Sequence, residues 1–89
     1  MHTFEIPVVW ETMNSAGKNS IYPGDFIVVN IKQKPIEGNV VMIKNINSFS
    51  IYEYQPPYLL ARSSKKQPHI DMGLVDIIGV VTRIIRTKM

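Results

Sequence analysis

Residues 19–30 read Asn-Ser-Ile-Tyr-Pro-Gly-Asp-Phe-Ile-Val-Val-Asn, and this stretch decides the fold class. Proline fixes φ at about −65° and suits the second position of a turn, while glycine tolerates the positive φ that often follows. After Pro23-Gly24 and Asp25, the β-branched and aromatic run from Phe26 to Val29 is too short for a helix and too apolar for a surface edge. We therefore predict a turn followed by a buried strand, Phe26 to Ile31, in the middle of a small barrel or sandwich.

The composition indicates one small packed domain without metal. A chain of 89 residues, 45% of them hydrophobic, is long enough for a single core, so we predict one domain over residues 1–89. The chain has no cysteine, which excludes disulfides and thiolate metal ligands. Its two histidines, His2 and His69, are isolated and cannot form a zinc site by themselves. No glycine-rich phosphate loop or paired carboxylates are present. We expect no metal and no cofactor.

Hydropathy and charge bear on location and partners. No apolar stretch approaches the roughly 18 residues that span a membrane. The first residues also lack the basic and apolar regions of a signal peptide. We therefore expect a cytoplasmic protein without membrane contact. A net charge of +3 is a mild bias, so we expect no direct contact with nucleic acid.

Strand patterns continue along the rest of the chain. Five further strands are predicted, over residues 2–9, 40–44, 49–54, 58–62 and 75–85. Pro7 indicates that the first of them lies at a sheet edge. Gly79 within the last one marks a bulge, a bend or a close backbone approach. No segment shows sustained helical periodicity with caps, so the prediction is an all-β domain.

Several short motifs follow one another in a characteristic order. Thr12-Met13 precedes a loop and the Pro-Gly-Asp turn into the strand over residues 21–29. Further along stand Pro35, Gly38 and the apolar residues 40–43, then Leu60 and residues 67–70, and last Ile-Ile-Gly-Val-Val at 77–81. From about Phe4 to Arg86 the chain resembles the C-terminal domain of the LexA, UmuD and phage-repressor group. Active members of that group are self-cleaving Ser-Lys peptidases.

This resemblance implies a fold and the positions of a catalytic dyad. The fold is a small all-β domain of the LexA and signal-peptidase type, with coiled, partly barrel-like antiparallel sheets. Thr12 stands where the family has its nucleophilic serine, and Tyr52 stands where it has its lysine. Threonine adds a methyl group that restricts χ1, and tyrosine, with an unperturbed pKa of about 10, is a poor general base at pH 7. The resemblance therefore implies that the dyad is lost and that no residue is catalytic.

The same alignment predicts a vestigial cleft. Met13 and Tyr54 are expected to line it, with Thr12 close to Tyr52. Tyr52 and Tyr54 should share one face of their strand, because strand side chains alternate. Ala16-Gly17 echoes the bond that several family members cut, but it follows Thr12, whereas the family's cleaved bond precedes the nucleophile. We interpret Ala16-Gly17 as ordinary loop.

With an altered dyad, the resemblance implies a non-catalytic dimerisation and regulatory domain of a phage- or prophage-type repressor-like transcription regulator. Its expected partners are a second copy of the chain and a helix-turn-helix DNA-binding domain in the parent protein, or a DNA-damage-response partner. Two alternatives remain open. One is a self-processing LexA/UmuD-like peptidase with Thr12 as nucleophile. The other is a small β-barrel nucleic-acid-binding module that uses the chain's aromatic and basic residues.

The last predicted strand is the expected dimer contact. Regular alternation would place Ile77, Val81 and Ile85 on one face and Ile78, Val80 and Ile84 on the other. A thin core has difficulty burying both faces, and exposed apolar area of this kind marks an interface, most often a two-fold one. Arg83 and Arg86 are expected at its rim. The predicted interface residues are Ile77, Ile78, Val80, Arg83, Ile84, Ile85 and Arg86.

Overall fold

Strands account for most of the secondary structure. The structure is a computed structural model that describes residues 2–10, 12–13, 20–46, 48–62 and 69–86. Within these residues the strands are β1 Thr3–Pro7, β2 Phe26–Asn30, β3 Val40–Asn45, β4 Ser48–Gln55, β5 Tyr58–Leu60, β6 Ile70–Asp71 and β7 Asp76–Ile85. One turn of 3-10 helix, Met72–Leu74, precedes β7. The all-β prediction is confirmed.

The strands form one antiparallel sheet in the order β1-β2-β7-β3-β4-β5-β6. The edge strands β1 and β6 do not pair with each other, so the sheet is not closed into a barrel. The second half of β7, Val80 to Ile85, pairs with β2. Its first half, Asp76 to Val80, pairs with β3. The sheet therefore consists of two half-sheets, β1-β2-β7 and β7-β3-β4-β5-β6, that share β7.

Irregular backbone in β7 accompanies this sharing. The pairing with β2 skips Thr82, and the pairing with β3 skips Ile78. Such bulges increase the local twist and shift the alternation of side chains by one residue. Between them, a Cβ atom on Gly79 would lie 2.6 Å from the carbonyl oxygen of Asn30. The prediction for Gly79 is confirmed as a close backbone approach.

Two core clusters lie on the two faces of the sheet. The first core cluster has as its buried residues Val8, Met13, Ile21, Ile27, Val29, Met42 and Ile51. The second core cluster has as its buried residues Val41, Ile43, Leu59 and Val80. Neighbouring residues of β3 alternate between the two clusters, as the geometry of a strand requires. The centre of the sheet is therefore apolar on both sides, which explains why its strands read as continuous apolar runs.

The bulges of β7 overturn the regular alternation that its sequence suggested. Ile78, Val81 and Ile84 all pack against the first core cluster. Ile77 packs against the second core cluster, and Val80 belongs to it. The predicted grouping of Val81 with Ile77, and of Val80 with Ile84, is therefore wrong. The physical reason is that each bulge moves the following residue to the opposite face.

The edge position of β1 explains its proline. Val8 donates its main-chain N–H to Asp25 O at 2.8 Å, and Ile31 donates to His2 O at 2.8 Å. Antiparallel pairing alternates, so the main-chain groups of even-numbered residues in β1 face β2 and those of odd-numbered residues face outward. Pro7 occupies an outward position, where the sheet requires no N–H. The predicted edge strand is confirmed.

Replacing Gly79 by alanine is expected to destabilise the fold. The new methyl group would meet Asn30 O at 2.6 Å and Val29 Cγ1 at 2.8 Å. The closer of these is a backbone atom, which cannot easily move. We therefore expect the free energy of unfolding, measured by urea denaturation, to fall by about 1–3 kcal/mol, nearer the upper end of that range. Gly73→Ala is the matched control, since its Cβ would lie 3.4 Å from the nearest atom, Asp71 Oδ1. Equal losses at the two glycines would contradict the close approach.

Candidate functional site

Thr12 lies buried beside β4. Its hydroxyl donates a hydrogen bond of 2.5 Å to the carbonyl oxygen of Ile51. The main-chain N–H of Ile21 donates to Met13 O at 2.7 Å, which fixes the chain next to Thr12. Met13 and Ile21 are both fully buried in the first core cluster. Thr12 is therefore held from both sides, by the core and by the backbone of β4.

The alternation of hydrogen bonds in β4 explains why Thr12 is needed there. Tyr54 N–H donates to Asn39 O at 2.7 Å, so even-numbered residues of β4 bond to β3 and the main-chain groups of Ile51 point away from it. On that other side, β5 pairs with β4 only from Glu53 onward. The Ile51 carbonyl thus faces an open edge, and Thr12 satisfies it.

The side chains of Thr12 and Tyr52, the two predicted dyad positions, have different surroundings. Tyr52 is partly buried and packs against the second core cluster, as does Tyr54. Their shared face is the one predicted from the strand pattern. The Thr12 hydroxyl meets β4 at the peptide unit between Ile51 and Tyr52, while the neighbouring Met13 packs in the first core cluster.

The predicted roles of Met13 and Tyr54 as cleft-lining residues do not fit this arrangement. Met13 has 0% of its surface exposed, so it cannot line an open cleft. Tyr54 packs against the second core cluster, on the other face of the sheet. Met13 is instead a buried member of the first core cluster.

The hydrogen bonding of this site is structural in kind. A nucleophilic hydroxyl needs a base that takes its proton, whereas the Thr12 hydroxyl donates to a main-chain carbonyl. Glu53, beside Tyr52, accepts hydrogen bonds from Arg62 at 2.7 Å and from Gln55 at 2.9 Å. The bond from Arg62 is the main reason that the pKa of Glu53 lies below its ordinary value, against the raising effect of burial. Glu53 is thus held as a paired carboxylate.

A second polar cluster ties the Pro-Gly-Asp turn to the end of β7. Asp25 is 5% exposed. The guanidinium of Arg86 donates to both Asp25 oxygens, at 3.0 to 3.3 Å, and to Ser20 O at 2.9 Å. Tyr22 N–H donates to the same carboxylate at 2.9 Å. The Arg86 guanidinium carbon lies 5.3 Å from the centre of the Tyr22 ring, within cation–π distance.

Charge and burial shift the pKa of Asp25 in opposite directions. Hydrogen bonds from Arg86 hold the pKa of Asp25 below its ordinary value, although burial by itself raises it, and the Tyr22 N–H adds to the lowering. The sequence interpretation placed Asp25 at the end of a turn and Arg86 at the rim of an interface. The Pro-Gly-Asp sequence predicts a turn, but it does not identify Arg86, 61 residues away, as the partner of Asp25.

The side of the β1-β2-β7 half-sheet opposite the first core cluster meets the second core cluster at Val80, which pairs with Asn30. The rest of that side belongs to neither core cluster. Two rows of cross-strand partners run across it, Glu5–Val28–Arg83 and Pro7–Phe26–Ile85. Cross-strand partners share a face, so these residues form one surface. We call it the outer face, and its members are Glu5, Pro7, Phe26, Val28, Arg83 and Ile85. Phe26, Val28 and Ile85 are partly buried, but they pack against neither cluster of the described residues.

The predicted interface residues separate into three groups. Arg83 and Ile85 lie on the outer face. Val80, 1% exposed, is part of the core. Ile78 and Ile84 pack against the first core cluster, and Ile77 packs against the second. Arg86 is engaged with Asp25. The contact surface available from β7 is therefore narrower than predicted, because core clusters on both faces of the sheet take up Ile77, Ile78 and Ile84.

Comparison with known proteins adds no family. No protein-family model matches this chain, and no curated protein matches it significantly. The LexA resemblance thus stays a prediction based on motifs. Of those motifs, Gln67-Pro68 lies outside the described residues, as does the Ala16-Gly17 loop.

Two further findings concern metal binding and membrane spanning in the described part of the chain. No group of three or more His, Cys, Asp or Glu residues there could hold a metal ion. Within the same residues, no helix has the length and apolar character to cross a membrane.

Thr12 is expected to contribute to stability through its hydroxyl. Thr12→Val keeps the shape but leaves the Ile51 carbonyl without its donor, so we expect a loss of about 1–3 kcal/mol in the free energy of unfolding by urea denaturation. Thr12→Ser keeps the donor and should lose less. If valine and serine give equal losses, the hydrogen bond does not carry the role of Thr12.

Acid is expected to remove the contribution of the Asp25–Arg86 pair. Because the pKa of Asp25 lies below its ordinary value of 3.8, this stability is fully present well above pH 3.8 and is lost as pH falls through the lowered pKa. Asp25→Asn should lower the urea midpoint at neutral pH, and its difference from the unmodified protein should shrink in acid. Asp76→Asn, at an exposed carboxylate, is the control. A difference independent of pH would contradict the assignment.

Proposed function

We propose that this chain is a non-catalytic self-association domain of a LexA-like, phage- or prophage-type transcription regulator. In this role it pairs two copies of a parent protein that carries a helix-turn-helix DNA-binding domain, or it acts with a DNA-damage-response partner. It would work in the cytoplasm, where such DNA-binding partners act. The order of motifs from Thr12-Met13 to Ile-Ile-Gly-Val-Val at residues 77–81 supports this assignment.

The outer face is the observation that carries the self-association. It presents Phe26, Val28 and Ile85 side by side, outside both core clusters of the described residues. Isolated apolar residues are normal on a protein surface, but adjacent ones on a flat sheet face are typical of contact surfaces. The terminal strand β7 contributes to this face, as expected for a domain that associates through its C-terminal region.

The surroundings of Thr12 favour a non-catalytic domain over the peptidase alternative. Its hydroxyl donates to the Ile51 carbonyl, and the lysine position holds Tyr52, packed against the second core cluster. A Ser-Lys peptidase needs a neutral lysine next to the hydroxyl to take its proton. The bond that Thr12 makes serves the backbone of β4 instead.

Sedimentation velocity tests the proposal directly. We expect the unmodified chain to be a dimer at high micromolar concentration, and Ile85→Asp to be a folded monomer because the contact would bury an unpaired carboxylate. Ile46→Asp is the matched control, since Ile46 is 88% exposed at the β3–β4 turn. Circular dichroism checks that each variant is folded. A monomeric unmodified chain would refute self-association.

Two further experiments on the unmodified chain test the alternative functions, the self-processing peptidase and the nucleic-acid-binding module. We expect no self-cleavage of the chain during days of incubation at alkaline pH. We also expect no cleavage of an added peptide that contains the family's Ala-Gly bond. Product that disappears with Thr12→Ala would favour the peptidase. Binding of a single-stranded oligonucleotide with a strong salt dependence would favour the nucleic-acid-binding module.

A further inference from the structure

The outer face carries a charge pattern as well as apolar residues. In the row Glu5–Val28–Arg83, an exposed carboxylate and an exposed guanidinium flank a valine. Neighbouring strands lie about 4.8 Å apart, so the two charged residues are separated by about 10 Å along this row. Among the described residues, the ion pairs are Glu53–Arg62 and Asp25–Arg86, which leaves Glu5 and Arg83 outside both.

We infer that two copies of this chain pack outer face to outer face, related by a two-fold axis that runs along β2. This inference rests on the proposed self-association and specifies its geometry. The rotation reverses the order of the strands across the contact. It therefore sets Glu5 of one copy opposite the partner's Arg83, and Arg83 opposite the partner's Glu5. Two equivalent ion pairs then flank a contact between the β2 strands.

The second row of the outer face fits the same rotation. In Pro7–Phe26–Ile85 all three residues are apolar, so reversing the row brings apolar residues opposite apolar ones and Phe26 near its own copy. Two sheets pack at about 10 Å with side chains interleaved, a spacing that aromatic and branched side chains fill.

Charge disfavours a two-fold axis that lies perpendicular to the strands. Such an axis would keep the strand order and reverse the direction of the strands. If it lay over the row Glu5–Val28–Arg83, Glu5 would face the partner's Glu5, and Arg83 would face the partner's Arg83. If it lay between the two rows, the charged row would face the apolar row. Like charges directly opposite each other destabilise a contact, and so do charges buried against apolar residues. The axis along β2 avoids both.

Pairing of β1 edges is a poor alternative for the same reasons. The outward main-chain groups of β1 belong to its odd-numbered residues, and Pro7 has no N–H to donate. An antiparallel pair of β1 strands centred on Glu5 would also place two carboxylates opposite each other. The edge is thus protected in ways that natural edge strands commonly use, while the outer face has no such protection.

The size of the outer face sets the expected affinity. Three strands with about five residues each give a surface of about 14 by 17 Å. This is well below the roughly 800 Å² per partner of a standard interface. We therefore expect a weak dimer, which a linked DNA-binding domain would strengthen by bringing its own contacts.

Charge reversal tests this geometry in the full chain. Glu5→Arg and Arg83→Glu should each weaken the dimer by about tenfold, because both ion pairs of the symmetric contact become repulsive. The double variant Glu5→Arg/Arg83→Glu restores opposite charges and should return the dissociation constant to near that of the unmodified chain. Glu37→Arg, at an exposed carboxylate off this face, controls for net charge.

Mixing the two single variants gives the sharpest readout. A protomer with Glu5→Arg carries two arginines in the row, and one with Arg83→Glu carries two carboxylates. Their mixture should form a heterodimer in which both contacts are attractive, detected by sedimentation with one species labelled. If no charge reversal changes the dissociation constant of the dimer, the outer-face geometry is wrong, although self-association itself still holds. A monomeric unmodified chain would remove the geometry and the proposed function together.

Discussion

The close approach of β2 to β7 at Gly79 is the constraint on which the rest of the structure depends. β7 belongs to both half-sheets, because its first half pairs with β3 and its second half pairs with β2. This requires the backbone of Asn30 to pass where a side chain at Gly79 would stand. Bulges at Ile78 and Thr82 supply the extra twist. As a consequence, each core cluster receives residues from β7, and neither half-sheet has to form a core alone.

Polar groups buried by this arrangement are all paired. Among the described residues, no buried side-chain nitrogen or oxygen lacks a hydrogen-bond partner. Thr12 satisfies a carbonyl at the open edge of β4, and Asp25 is satisfied by Arg86 and the Tyr22 N–H. Since an unpaired buried polar group costs about 1–3 kcal/mol, both residues are explained by the architecture. The hydroxyl of Thr12 thus has a structural role.

The proposed role follows from what the architecture leaves uncovered. Val8, Met13 and Ile21 cover one side of the β1-β2-β7 half-sheet and belong to the first core cluster. The opposite side keeps an apolar centre with Glu5 and Arg83 at its two sides. A surface that is apolar in the middle and oppositely charged at its flanks is complementary to its own rotated copy. The proposed self-association therefore depends on the outer face and requires no catalytic residue.

The sequence by itself determined the local elements. Alternation and turn-forming residues identified the all-β class, the Pro23-Gly24 turn, the edge position of β1 and six strands, whereas the two-residue β6 gave no pattern. Only the tertiary structure decided the faces of β7, the partner of Asp25 and the role of Thr12. The physical reason is distance along the chain, because local preferences extend over a few residues. Thr12 meets Ile51 across 39 residues and Asp25 meets Arg86 across 61, so these contacts arise only when the sheet is assembled.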